Sequence, residues 1–197
     1  MRGTPGTLAD LNSNSELASR AKGTPLWLVL FSIERLEMSS KTYIPEGQVP
    51  PASQIGATME ALTATIAGRR EAGEESYTHR LLTGPLDKPL KKVAEEAVEV
   101  GLAAKDVESR AASALAAALA VSPDADDLTV ALPPDYDEAV DHLRYEAADV
   151  VYHLLVVLER FGVSIDEFAA ELNSRMTEEE RPEGAVLLKP EHIKRGH

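Results

Sequence analysis

The sequence predicts an all-α protein, because composition and periodicity both favour helices. Of its 197 residues, 44% are hydrophobic but only 5% are aromatic, so Ala, Leu and Val must supply most of the core. Apolar residues recur at helical spacing from Ile55 onward, and no segment makes a convincing strand. A chain of this length suits one domain better than two.

The charge and the amino-acid usage exclude several classes of function. Acidic residues outnumber basic ones by 33 to 20, giving a net charge of −13, and so acidic a surface repels a nucleic-acid backbone. Cysteine is absent, which excludes disulfides, thiol chemistry and cysteine-ligated zinc. The one markedly apolar run, residues 25–33, is about half as long as the roughly 20 residues of a membrane-spanning helix. We therefore expect a cytoplasmic protein with no membrane role.

Composition divides the chain into three parts. Residues 1–54 are rich in Gly, Ser, Thr and Pro and predict a poorly ordered extension. Residues 55–176 have helical periodicity and predict the functional domain, with an apparent insertion around residues 105–135. Residues 177–197 are charged and contain two prolines, which predicts a flexible tail.

The first half of the domain is predicted to contain two helices. The first begins at Ile55 and stops before Gly73, with Ile55, Met59, Leu62 and Ile66 on its apolar side. Residues 74–88 are interpreted as a polar connector. The second helix is predicted to start at Pro89, end near Ala104 and bury Val93, Ala97, Val100 and Ala104.

The second half is also predicted to be helical. An Ala-rich segment, residues 108–122, has high helix propensity. The longest helix is predicted over residues 136–161 and closes at Gly162. Ser164 and Glu167 form a capping-box pattern that begins the last helix.

Carboxylates occupy one face of two of these helices. Glu95, Glu96 and Glu99 are spaced three and four residues apart on the second helix, and Glu146 and Asp149 are three apart on the long one. Either cluster alone is typical of a solvated helix face. Both clusters border apolar stripes, so two such edges facing each other would form the all-oxygen cage that Mg²⁺ prefers. Together they predict a metal site.

Nearby histidines and lysines leave further interpretations open. A mixed zinc site is an alternative, although no H-E-x-x-H motif exists, and its ligands would be His142, Glu146, Asp149 and His153. His153 is better interpreted as a substrate or supporting contact. Lys92 lies one turn before Glu96, where it either meets a phosphate or forms an ordinary surface pair.

The motifs resemble a known family. The segments SYTHRLL, KPLKKVAEEAVEV and YEAADVVYHLLVVLERFGVSIDEFAAEL resemble phosphoribosyl-ATP pyrophosphohydrolase, the second enzyme of histidine biosynthesis. That family belongs to the all-α nucleotide pyrophosphohydrolases, which share E-E-x-x-E followed by E-x-x-D. The S-Y-T-x-x-L segment and the K-x-x-E-E approach make the resemblance specific. Here 46 residues separate Glu99 from Glu146, more than in the family, which marks the insertion.

The resemblance implies hydrolysis of phosphoribosyl-ATP to phosphoribosyl-AMP and pyrophosphate, with Mg²⁺ as cofactor. It implies that the metal site consists of Glu95, Glu96, Glu99, Glu146 and Asp149. Glu95 or Glu96 is expected to act as general base. The resemblance also implies that six residues lie near the substrate: Ser76, Tyr77, Thr78, Arg80, Lys91 and Lys92. Bifunctional members add a cysteine-dependent cyclohydrolase domain, so the absence of cysteine implies a stand-alone form whose product passes to a separate phosphoribosyl-AMP cyclohydrolase.

Two other functions remain open, and a homodimer is expected. A housekeeping nucleoside triphosphate pyrophosphohydrolase would share the acidic motifs but not SYTHRLL, and a non-enzymatic helical interaction protein would leave the acidic faces solvated. A second copy would cover the surplus apolar positions of the long helix, which are Val150, Val151, Leu154, Leu155, Val157 and Leu158. Alternatively, the Ala-rich insertion folds back and covers these apolar positions within a single chain.

Overall fold

The computed structural model describes residues 41–121 and 130–193, and all regular elements in these ranges are helical. This confirms the all-α prediction. The α-helices are α1 (Gln54–Gly68), α2 (Tyr77–Thr83), α3 (Asp87–Val121), α4 (Tyr136–Arg160) and α5 (Ile165–Asn173), with 3₁₀ turns at Arg69–Glu71 and Pro190–His192. The apolar run 25–33, part of the insertion and the end of the tail lie outside the described residues. None of the helices in the described ranges has both the length and the hydrophobicity to span a membrane.

The described residues form two compact units, and their boundaries fall inside α3 and α4. One unit contains residues 41–43, 99–121 and 130–146. Its buried apolar side chains are Ala103, Ala111, Leu115 and Ala139. Because three of these four are alanines, the helices of this unit bury little apolar area per residue.

The other unit contains residues 44–98 and 147–193 and has the larger side chains in its core. Its buried cluster consists of Ile66, Leu81, Leu82, Leu155 and Val156. Partly buried residues that pack around this cluster are Met59, Leu62, Tyr152, Leu158 and Ile165. Three of the four predicted apolar positions of α1 therefore face the core, whereas Ile55 at its first turn is 71% exposed.

Side-chain caps define the starts of three helices. Ser53 accepts a hydrogen bond from the backbone N–H of Gly56, and Ser76 accepts one from that of His79. Ser164 and Glu167 form the predicted capping box at the start of α5. Each cap satisfies a backbone donor that the first helical turn leaves unpaired.

The prediction for residues 74–88 was incomplete, because this segment contains α2. Leu81 and Leu82 are 0% and 3% exposed, so burial of these two leucines stabilises a helix that is too short to persist by itself. Arg160 in α4 donates to the carbonyl oxygens of Leu81 at 2.8 Å and Gly84 at 2.7 Å. These two bonds satisfy carbonyls at the end of α2.

Helix α3 differs most from its prediction. It runs unbroken for 35 residues and is the longest helix, whereas the prediction ended it near Ala104 and made α4 the longest. Residues 105–110 contain no Gly or Pro, so nothing interrupts the helix before the Ala-rich segment. The first part of the predicted insertion is therefore a continuation of α3.

The buried face of α3 matches the prediction at two of its four positions. Val93 and Val100 are partly buried, whereas Ala97 and Ala104 are exposed and their neighbours Glu96 and Ala103 are buried instead. A buried carboxylate contradicts the hydrophobic pattern on which the prediction relied.

Two glycines provide a matched stability test. Gly162 ends α4 with φ +69°, a conformation that an L-residue adopts at a cost, so we expect Gly162→Ala to lower the free energy of unfolding by about 1–2 kcal/mol. Gly101 lies inside α3, and a Cβ there would meet nothing within 4 Å. Gly101→Ala should therefore stabilise the protein by up to about 1 kcal/mol. Urea denaturation checks both values, and equal shifts would contradict the expectation.

Candidate active site

Three carboxylates from two helices come together. One oxygen each from Glu96 of α3 and from Glu146 and Asp149 of α4 lie within 4.8 Å of one another. Glu96 and Glu146 are only 3% and 7% exposed. Glu96 and Asp149 belong to the same unit, and the unbroken α4 holds Glu146 one turn before Asp149. Buried like charges require a cation to neutralise them.

The chemistry of these donors fits Mg²⁺. Three carboxylates offer only hard oxygen ligands, and Mg²⁺ binds through a few carboxylates while water and phosphate oxygens complete its octahedron. Glu99, a predicted ligand, is exposed on α3 and is not one of the three. The structure therefore brings together three of the five predicted carboxylates.

Lysines of α3 lie against the acidic residues. The Lys92 Nζ atom is 2.5 Å from Glu96 Oε1 and 3.5 Å from Glu95 Oε2, and Lys91 Nζ is 3.0 Å from Glu95 Oε1. The hydrogen bond to Glu96 raises the pKa of Lys92 above its usual value. The hydrogen bond from Lys91 lowers the pKa of Glu95. Lys92 is therefore a cation, and Glu95 is an anion, at neutral pH.

His153 connects the acidic residues to α2. Its side chain is buried, with Nδ1 2.9 Å from the carbonyl oxygen of Asp149 and 3.7 Å from Glu96 Oε1. A carbonyl only accepts, so Nδ1 donates, and in the neutral ring Nε2 then accepts from the Tyr77 hydroxyl at 3.2 Å. Both ring nitrogens have partners, which argues against His153 as a zinc ligand.

Tyr77 and Thr78 lie at the start of α2 and contact α4. Thr78 Oγ1 is 2.7 Å from the Tyr152 hydroxyl, and the ring of Tyr77 meets that of His153 edge-on. Burial raises the pKa of Tyr77. The Lys88 ammonium lies 5.8 Å from the centre of the Tyr77 ring, within cation–π range. Tyr77 is therefore connected to the acidic residues through His153, and the predicted contact of Tyr77 and Thr78 with a substrate stays a prediction.

Two other residues of the SYTHRLL segment have structural partners. Ser76 caps α2, and Arg80 donates to the carbonyl oxygens of Glu74 at 2.5 Å and Glu75 at 3.2 Å. Both residues stabilise the turn that leads into α2. Their predicted contact with a substrate stays a prediction.

Sequence reasoning missed two neighbours of the site. Tyr152 was not singled out, although a tyrosine within the apolar run VVYHLLVV is a signal, because its buried hydroxyl needs a partner. His142 was considered only as a zinc ligand. Its Nε2 atom lies 2.9 Å from Glu146 Oε1, so it is a neighbour of one of the three carboxylates.

Comparison with known proteins gives a match to a family model. The family model described as phosphoribosyl-ATP pyrophosphohydrolase matches residues 59–176. No solved structure is significantly similar to the chain.

Curated relatives carry the same description. A phosphoribosyl-ATP pyrophosphatase of Methylobacterium nodulans is 34% identical over 134 residues, which cover 68% of this chain and 96% of the relative. Those of Lactiplantibacillus plantarum and Limosilactobacillus fermentum are 37% and 34% identical over 118 residues, or 59% of this chain and 82% of each relative. The region that the family model matches contains α2 and the acidic residues Glu95, Glu96, Glu99, Glu146 and Asp149.

Proposed function

The chain belongs to the phosphoribosyl-ATP pyrophosphohydrolase family, and we propose that it hydrolyses phosphoribosyl-ATP to phosphoribosyl-AMP and pyrophosphate. This reaction is the second step of histidine biosynthesis. The observation that carries the proposal is the set of three carboxylate oxygens within 4.8 Å, two of them from buried residues. Solvated helix faces would not bury carboxylates, so the set favours an enzyme over a non-enzymatic interaction protein.

We assign the metal site to Glu96, Glu146 and Asp149, with Glu99 as a further candidate. Mg²⁺ bound there would neutralise charge on the leaving pyrophosphate and acidify a bound water. Lys91 and Lys92 add fixed positive charge beside this site, which attracts a polyphosphate despite the net charge of −13.

Glu95 is the better candidate for the general base. Its side chain is 39% exposed and lies outside the set of three, so water can reach it, whereas Glu96 is buried against Lys92. Lys91 lowers the pKa of Glu95, so the Glu95 carboxylate is ionised at neutral pH, which is the form a general base must have before it accepts a proton. The hydrogen bond between His153 and Tyr77 holds the start of α2 against the interior of α4.

The test is pyrophosphate release from phosphoribosyl-ATP in the presence of Mg²⁺, compared with a panel of nucleoside triphosphates. We expect kcat/KM for phosphoribosyl-ATP to exceed that for any triphosphate by about a hundredfold or more, because buried polar groups reject analogues that leave them unpaired. Comparable turnover of ordinary triphosphates would indicate the housekeeping alternative. No turnover of any of these compounds would contradict the enzyme.

We also propose that the active unit is a homodimer. Of the six predicted positions on α4 only Val151 is exposed, so among the described residues α3 exposes more large apolar side chains than α4 does, contrary to the prediction. Leu90, Val98 and Leu102 of α3 are 45%, 62% and 63% exposed. Their spacing of four or eight residues places them along one side of the helix, a surface that a second copy would cover.

Sedimentation at micromolar concentration checks the dimer. We expect a mass about twice the 21.2 kDa of the chain, and we expect Leu102→Glu to shift it toward the monomer, because burying a charge in the interface is costly. Ile55→Glu, which changes an equally exposed residue of α1, is the control and should remain dimeric. A fully active species near 21.2 kDa would contradict the proposal.

A further inference from the structure

The ion pair of Lys92 with Glu96 differs from the other lysine pairs of α3. The Glu96 side chain is 5% exposed, and its Oε1 atom receives the Lys92 ammonium at 2.5 Å. The neighbouring pair of Lys91 with Glu95 lies in solvent, with side chains 75% and 39% exposed. A charge–charge contact is screened far less at a buried carboxylate than at an exposed one. Lys92 therefore supplies the counter-charge that the buried Glu96 needs.

The Lys92 ammonium contacts a carboxylate that would also hold a divalent cation. Glu96 is one of the three clustered carboxylates, so a cation bound there lies within a few ångströms of Lys92. Two cations at such a distance repel strongly in a partly buried site. Lys92 and the metal ion consequently compete for Glu96.

Lys92 has a second position within reach. Its Nζ atom is already 3.5 Å from Glu95 Oε2, and Glu95 is partly exposed at the edge of the site. The side chain of Lys92 is itself 32% exposed, and its four-carbon stem is flexible. A small movement along the stem thus transfers the ammonium from Glu96 to Glu95 and solvent.

We propose that Lys92 is a built-in, displaceable counter-ion of the acidic site, which rests on the metal site of the proposed function. In the metal-free protein its ammonium neutralises Glu96. When a divalent cation binds, the ammonium moves toward Glu95, where it faces the anionic phosphates of a substrate. Lys92 is a positioning residue in this scheme, and its ammonium lowers the metal affinity of the substrate-free protein.

Metal binding without substrate tests the proposal. Calorimetric titration with Mn²⁺ and Mg²⁺ is done on the wild type, Lys92→Gln, Lys92→Arg and Lys91→Gln. We expect Lys92→Gln to bind Mn²⁺ about tenfold more tightly or better, because the competing charge is gone. Lys91→Gln removes the same charge from the same helix at an exposed pair, so its affinity should change by less than about twofold. Lys92→Arg keeps the charge and should bind like the wild type.

Thermal unfolding gives a second readout on the same proteins. Lys92→Gln leaves the buried Glu96 without its ammonium, so we expect a lower Tm without metal and a larger increase on adding Mn²⁺ than in the wild type. Unchanged or weaker Mn²⁺ binding by Lys92→Gln would overturn the proposal, as would equal tightening in Lys91→Gln.

The wild type provides a test that does not depend on a variant folding. Nitrogen-15 NMR of labelled lysine side chains reports the ammonium groups, and the Lys92 signal should shift on titration with Mg²⁺ while that of Lys91 moves little. A Lys92 signal that does not respond while calorimetry shows Mg²⁺ binding would overturn the proposal. This failure is distinguishable from failure of the proposed function, which is tested by turnover of phosphoribosyl-ATP.

Discussion

Glu96→Gln and Glu146→Gln are each expected to reduce turnover of phosphoribosyl-ATP by about a hundredfold or more. Either change removes one anionic ligand from the set of three, and the charge stabilisation supplied by a bound metal is worth several kcal/mol in the transition state. Turnover at saturating Mg²⁺, together with circular dichroism to show that the helices persist, is the measurement. Near-normal rates in either variant would contradict the metal-site assignment.

A control and a stability readout separate loss of the site from loss of the fold. Glu138→Gln removes a carboxylate from an exposed position of the same helix as Glu146 and should keep most of the activity. Without metal, Glu146→Gln should unfold at the same temperature as the wild type or slightly higher, because the change removes repulsion between Glu146 and Asp149 one turn apart. A large fall in Tm would show that Glu146 is structural.

Leu81→Ala is expected to lower the free energy of unfolding by about 3 kcal/mol, within the usual range of about 2–5 kcal/mol for a buried leucine. Leu81 is 0% exposed and belongs to the central apolar cluster. Because α2 has only seven residues and depends on this burial, the change should also disturb the hydrogen bond between Tyr77 and His153. Urea denaturation gives the stability, and KM for phosphoribosyl-ATP reports the effect on the site.

The matched control is Leu172→Ala. Leu172 is 40% exposed in α5 and lies outside the proposed dimer surface, so the same deletion of side-chain atoms there should change stability by less than about 0.5 kcal/mol. Comparable losses in the two variants would show that α2 is not anchored through Leu81.

Sequence patterns predicted correctly the features that depend on residues close together in the chain. The helical class followed from composition and spacing, and the capping box of Ser164 and Glu167 was predicted as it occurs. The spacing of Glu146 and Asp149 was sufficient to place them on one face, because a helix turns by about 100° per residue whatever surrounds it. The family followed from short motifs that include SYTHRLL and the two acidic segments.

The burial of Glu96 and Ala103 in α3 could not be predicted from hydrophobic periodicity. The apolar pattern favoured their neighbours Ala97 and Ala104, which the structure leaves exposed. A carboxylate is buried only where specific partners offset its desolvation, and here those partners include Lys92 and His153. Glu96, a residue of the acidic site, is therefore an exception to the rule that the buried positions of a helix are apolar.

The helical class, the capping box of α5, the family and the candidate carboxylates could be predicted from the sequence alone, because they depend on neighbours within one or two helical turns or on short motifs. Which carboxylates approach each other, and that α2 docks on the core, is known only from the folded structure. It also paired Tyr77 with His153, 76 residues away along the chain. Such contacts depend on how helices distant in sequence pack, and packing depends on the summed burial of many side chains, which no local pattern contains.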